Sequence, residues 1–280
     1  MTIDFSVHAV SWWPLVIGLA GASVAIGALM AATLGLSLRR RNWSIIDTFW
    51  GLGFVAVAVV SYFLSDGHGD PGRRLVALLV PVIWGLRLAG HIHWRNRGKP
   101  EDPRYTALLR RRTGALIPFV VKTIFWAQGR VMWVVAVPIS VAMFERVPIN
   151  AITWIGVALA LIGLFFELVG DLQLARFRSV PQNAGKLMDK GLWSWTRHPN
   201  YFGDLCVMFA FWLIACGSWI GVLTVGAPVL MTRMLLTRTG KAMLDRRLAR
   251  TRGPAYAEYA RRTSGLLPRP PRKVPAVSGS

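Results

Sequence analysis

The chain has 280 residues, is 54% apolar with 13 Trp, and carries only 16% charged residues, yet its formal net charge is +20. Repeated apolar runs near the roughly 20 residues that cross a hydrocarbon core exclude a water-soluble globular domain. The basic residues fall between those runs instead of forming a stripe on a soluble surface, so they read as topology signals and exclude a nucleic-acid partner.

Residues 1–11 contain Asp4 and no Lys or Arg, and the apolar run after them is too long for the core of a cleavable signal peptide. It is expected to stay as a span. Apolar length set against punctuation predicts seven spans, at 12–38, 44–64, 75–94, 117–144, 149–171, 201–217 and 219–237. The last two are short and divided by little more than Gly217 and Ser218. The fold class expected is therefore all-α, a polytopic membrane helix bundle. With the N-terminus outside, segments 39–43, 95–116, 172–200 and everything from 238 on lie inside, and together with Arg233 they hold 27 of the 33 Lys and Arg. Only Arg73, Arg74 and Arg146 fall outside, with Arg87, Lys122 and Arg130 in spans. Basic loops mark the cytoplasmic side, so the expected setting is the inner (cytoplasmic) membrane with a cytoplasmic C-terminus.

Residues 1–267 read as one membrane domain and 268–280, Pro-rich and basic, as a disordered tail. Before the tail, 241–262 reads as an amphipathic helix broken at Gly253–Pro254, with Arg246, Arg247, Arg250, Arg252, Arg261 and Arg262 on its polar side. Cys206 and Cys216 stand ten apart on one predicted helix, about 15 Å along its axis, too far for a disulfide.

Charged groups inside spans cost roughly 2.5–3.5 kcal/mol each at a helix centre, which makes them functional candidates. They are Asp47, Arg87, Arg130, Glu167, Asp171 and Asp204, most of them near the cytoplasmic ends of their spans. Glu167 and Asp171 are four apart on one helix face, and Arg178 follows on that face; acids followed by an arginine suit a ligand with hydroxyls and phosphates. The densest polar run is TRHPNYFGD at 196–204. Pro199 suits a first helical turn, and Arg197 and His198 just before it stand at the positive end of the helix dipole, a plausible anion site. His91 and His93, two apart, point in different directions, and no metal site is expected.

Six motifs in order, SIIDTFWG at 44–51, NRGKPEDPRY at 96–105, AQG at 127–129, ELVGDLQLARFR at 167–178, KGLWSWTRHPNYFGD at 190–204 and YAEYARRTSGLLP at 256–268, carry a resemblance. The chain resembles bacterial membrane proteins grouped with steroid 5-alpha-reductases, related more distantly to isoprenylcysteine carboxyl methyltransferases. The resemblance implies that Glu167, Asp171, Arg178, Asn200 and Asp204 line a cytoplasm-facing NADPH cavity, with Asp204 against the nicotinamide and Arg233 matching a family arginine in the last span. It also implies a carbonyl-binding acid on the second span, where Asp47 is the only candidate, and a tyrosine on the third. The third span contains no tyrosine; Trp84 and Arg87 are the nearest polar-edged residues.

The resulting expectation is an NADPH-dependent reductase of a conjugated double bond in a lipid-soluble substrate such as a steroid, sterol or polyprenoid enone. Asp47 would act as a neutral acid on the carbonyl and Asp204 would orient the nicotinamide; Arg178, Arg197 and Arg233 would take phosphates, with His198, Asn200 and Tyr201 beside them. Two alternatives stay open: an S-adenosylmethionine-dependent lipid or prenylcysteine methyltransferase, in which the RHPNY turn would hold the cofactor's carboxylate, and a non-enzymatic lipid-binding protein that uses its tryptophans as interfacial belts. Membrane lipids are expected partners in every case.

Overall fold

A computed structural model describes residues 3–237 and 240–272, and it gathers the chain into two compact units, Met1–Val157 with Phe211–Ala227 and Ala158–Ala210 with Pro228–Ser280. Among the described residues the regular elements are helices, joined by three single-residue β-bridges. Part of the expected tail, 273–280, lies outside the described residues; 268–272 is non-helical and hydrogen-bonded, Arg269 N–H donating to the Trp195 carbonyl at 3.0 Å.

In the first unit α1 (Trp12–Arg40), α2 (Ile46–Leu64), α3 (Pro71–Asn96) and α5 (Leu116–Phe144) are long and apolar, and a short polar helix, α4 (Pro103–Leu109), lies between the last two. Helix α2 packs against α1, α3 and α5. Glycine permits its closest approach, since a Cβ on Gly51 would stand 2.2 Å from the Gly85 carbonyl oxygen on α3. Around that crossing Phe54, Trp84 and Phe211 form an edge-to-face core, with centroids of 5.3 Å between Phe54 and Trp84 and 5.8 Å between Trp84 and Phe211. Trp84 is thus a core residue, 1% exposed. Outward-facing Trp13, Val24 and Phe63 are more than 70% exposed, as a lipid-facing surface requires.

Helix starts follow local capping chemistry. Asp70 accepts from the Arg73 N–H at 2.9 Å with Pro71 in the first turn, and Asp102 does the same for Arg104 at 2.8 Å with Pro103. One end of the unit is closed by Arg73, whose guanidinium lies 3.2 Å from Glu145 and donates to the carbonyls of Val147, Pro148 and Ile214 at 2.5–2.9 Å. Glu145 in turn accepts from the N–H and hydroxyl of Ser218 at 2.9 and 2.6 Å.

The second unit contains α6 (Ala151–Ser179) from residue 158 on, the first part of α7 (Pro199–Ile214), α8 (Gly226–Thr237) from Pro228, and α9 (Lys241–Arg262). Helices α6 and α7 cross on Gly163 and Gly203, where a Cβ on either would come within 2.6 Å of the other's carbonyl oxygen. Helix α9 breaks where expected, at Gly253 (φ 49°, ψ −124°) before Pro254.

Each of the seven predicted spans is mostly helical, the sixth ending at Ile214. Among the described residues six helical runs are long and apolar enough to cross a membrane, the last counted from Trp219 onward, and α7 is shorter. The predicted span at 219–237 is two helices, because Trp219–Leu223 ends at Thr224, whose hydroxyl turns back to the Gly221 carbonyl at 2.6 Å.

Candidate functional site

The candidate residues fall in two clusters, one in each unit. In the first, the turn into α2 is shaped by Asn42, whose side chain accepts from the Ser44 N–H at 2.9 Å, and by Glu101, which accepts from the Trp43 N–H at 2.5 Å. The Glu101 contact ties the loop after α3 to the start of α2, so that α4, begun by the Asp102–Pro103 cap, brings two consecutive side chains onto Asp47. Arg104 Nη2 donates to Asp47 Oδ2 at 2.7 Å, and the Tyr105 hydroxyl donates to Oδ1 at 2.6 Å. Gln128 donates to the Tyr105 oxygen at 3.2 Å and accepts from Trp50 Nε1 at 2.5 Å. Gln128 lies two residues beyond a π-helical turn, Val121–Trp126, the kind of helix irregularity that gathers at functional sites.

Asp47 therefore uses both oxygens as acceptors, its side chain 17% exposed, beside an Arg104 side chain that is 42% exposed. Burial, and next the Asp47 charge, push the Tyr105 phenol above its ordinary range. The proton of this pair sits on the tyrosine. Tyr105 is the residue sequence reasoning missed: the third span has no tyrosine, but the loop beyond it supplies one. The signal was in the quoted NRGKPEDPRY run, where Asp-Pro opens a short helix, yet nothing periodic links Tyr105 to an acid 58 residues earlier.

In the second unit Glu167 and Asp171 are buried, 2% and 9% exposed, on the α6 face that meets α7. A Cβ on Gly203 would lie 2.7 Å from the Glu167 side chain, and one on Gly170 3.1 Å from Pro199, so this acidic face runs along the start of α7, where Asn200, Tyr201 and Asp204 follow. The approach to α7 is fastened by Trp193 Nε1 donating to the Gly170 carbonyl at 3.0 Å, by the Leu192 N–H donating to Gln173 at 3.0 Å, and by the Tyr259 hydroxyl donating to the Trp193 carbonyl at 2.6 Å.

Arg197 and His198 do not face open solvent as a vacant anion site would. His198 is 1% exposed, stacks on Tyr201 with centroids 5.3 Å apart, and has Nε2 2.8 Å from Asp245 Oδ1. Asp245, on the polar helix beyond the last apolar one, also accepts from Lys241 at 2.9 Å and from the Tyr256 hydroxyl, with Arg197 at 3.5 Å. Burial works to raise this acid, but the hydrogen bonds from His198, Tyr256 and Lys241 outweigh it and hold it below the ordinary carboxylate range. Arg178 and Arg233 are exposed. Cys206 and Cys216 are buried free thiols.

Helices of this length and outward apolarity, closed by polar clusters at their ends, define a multi-pass helical membrane protein. Within that class the chain belongs to the family described as "Protein of unknown function (DUF1295)", whose model matches residues 33–263. It is similar to uncharacterized protein C594.04c of Schizosaccharomyces pombe, 24% identical over 286 residues that cover 87% of this chain and 79% of that protein. No solved structure matches it.

Proposed function

We propose that the protein is an NADPH-dependent reductase of a conjugated C=C bond in a lipid-soluble enone, oriented with its N-terminus outside, its basic loops in the cytoplasm and its cofactor cavity open to that side. The observation that carries this reading is the Asp47–Tyr105–Gln128–Trp50 hydrogen-bond chain at the start of α2. A phenol held by a carboxylate and polarised by an amide is a preorganised donor for a carbonyl oxygen on which charge develops.

The second cluster has the donor set of a dinucleotide site. The acids Glu167, Asp171 and Asp204 and the amide of Asn200 suit ribose hydroxyls and the nicotinamide carboxamide. Arg178 and Arg233 are exposed for phosphates, and the buried Nε of Arg197 has no hydrogen-bond partner among the described residues. His198 and Tyr201 form the stacked floor beside them. NADPH, when bound, would supply the hydride. Tyr105 turns its hydroxyl from Asp47 to the substrate carbonyl and stabilises the charge that reaches the oxygen as the β carbon is reduced; protonation of the α carbon from solvent completes the step. Asp47, fixed by Arg104, acts as the acceptor that positions the phenol, in place of the neutral acid read from sequence.

The test is a paired one on the full-length protein in detergent. NADPH is expected to raise the melting temperature more than NADH or S-adenosylmethionine does, and a panel of lipid enones is expected to drive NADPH consumption that Asp47→Asn reduces without loss of NADPH affinity. Stronger protection by S-adenosylmethionine would overturn the reading in favour of methyl transfer. Full turnover in Asp47→Asn would remove the acid–tyrosine pair from the chemistry.

A further inference from the structure

Helix α9 carries a feature that neither cluster uses. Thr237, Ala242, Met243, Arg246, Arg247 and Arg250, with Thr251, line a hollow of about 420 Å³. The spacing explains the grouping, because 243, 246, 247, 250 and 251 recur at three- and four-residue intervals and so share one helix face. The acids of α9, Asp245 and Glu258, and also Asp189 are engaged elsewhere: Asp245 with His198 and Lys241, Glu258 with Arg261, and Asp189 with Arg262. Among the described residues Arg246, Arg247 and Arg250 make no ion pair, and all three are exposed.

Three unneutralised guanidiniums around one hollow call for an oxyanion able to take several N–H donors, and phosphate does so. Two features decide which phosphate. Thr237, the last residue of the apolar helix α8, lines the hollow, so the site stands at the depth of lipid head groups; Ala242 and Met243 give it an apolar wall that a free inorganic ion would not use. We propose that this hollow binds the phosphodiester head group of an anionic phospholipid and seats α9 on the membrane surface.

Native mass spectrometry of the full-length protein, titrated with phosphatidylglycerol or phosphatidylcholine of matched acyl chains, tests the site. Wild type is expected to retain phosphatidylglycerol in preference. A variant with Arg246→Gln, Arg247→Gln and Arg250→Gln is expected to retain it at least about tenfold less well, since each basic residue at such a surface contributes to attraction for anionic lipid. The control replaces Arg110, Arg111 and Arg112 by Gln, which removes the same charge from an exposed run elsewhere and is expected to leave retention intact. Equal losses in both variants, or no loss in either, would overturn a local site in favour of net charge. Displacement of the lipid by millimolar inorganic phosphate, or by NADPH, would assign the hollow to a free anion or to the cofactor and would likewise overturn the proposal. Should the triple variant melt early, Arg250→Gln alone is read on the same scale, with weaker phosphatidylglycerol retention expected and wild-type retention overturning the site.

Discussion

Two acid–arginine pairs in the first unit have opposite characters. Arg73 and Glu145 are both 0% exposed, and between them they accept or donate to five further backbone and side-chain groups. Asp47 and Arg104 are 17% and 42% exposed, and the acid gives its second oxygen to a phenol that is itself polarised from behind. The first pair is enclosed, Glu145 Oε2 being met by the Arg73 guanidinium at 3.2 Å, which suits a fastening between helix ends. The second is partly exposed and holds a phenolic proton donor. Burial alone does not separate a fastening from a candidate site; the property that separates these two pairs is a half-open hydrogen-bond chain.

The sharpest way to break this comparison is at the enclosed pair. Arg73→Ala leaves Glu145 buried and uncompensated and is expected to cost about 3–5 kcal/mol, read as a large drop in melting temperature in detergent. Arg73→Met combined with Glu145→Leu is expected to recover part of that loss, because removing both charges avoids an unpaired one. A melting temperature unchanged in Arg73→Ala would end the fastening role.

At the open pair the expected pattern is the reverse. Tyr105→Phe removes two hydrogen bonds, each worth about 1 kcal/mol of stability, yet is expected to lower enone reduction by roughly a hundredfold or more while NADPH affinity holds. An equal loss of stability and turnover, tracking the folded fraction, would reduce the open pair to a second fastening.

A third acid, in the second unit, extends the contrast. Asp245 is 19% exposed and held below its ordinary range by its hydrogen-bond donors. An acid depressed on folding contributes stability that is present above its unfolded value of about 3.9 and is lost as pH falls through its lower folded value. Asp245→Asn is therefore expected to cost the protein a modest amount at neutral pH, about 1 kcal/mol, and to flatten the decline in melting temperature below about pH 4. A variant whose acid decline parallels wild type would remove Asp245 as its source.

How legible the molecule was in its sequence depended on the range of the physics. Span positions rest on apolar length, and helices occupy most of each predicted run, with 219–237 interrupted at Thr224. The break at Gly253–Pro254 rests on two adjacent residues and was equally readable. Glu167 and Asp171 share a face because four residues make about one helical turn. By contrast, the chain treats Arg73 as one of three basic residues on the expected outer side, and only packing against Glu145 and three carbonyls makes it among the most enclosed side chains. His198 could be read as an anion donor from its place before Pro199, but its partner Asp245 is 47 residues away on a helix with no sequence signal joining the two.

The sequence by itself determined an all-helical membrane chain, the approximate ends of its spans and the list of ionisable residues within them, because hydrophobic length and helical period act over one or two turns. Tertiary structure alone decided which of those charges are spent on fastening, that Tyr105 reaches Asp47, and that three arginines of α9 are left without an acid. Those outcomes depend on contacts between residues tens of positions apart, where loop geometry and close glycine crossings set distances that no local pattern encodes.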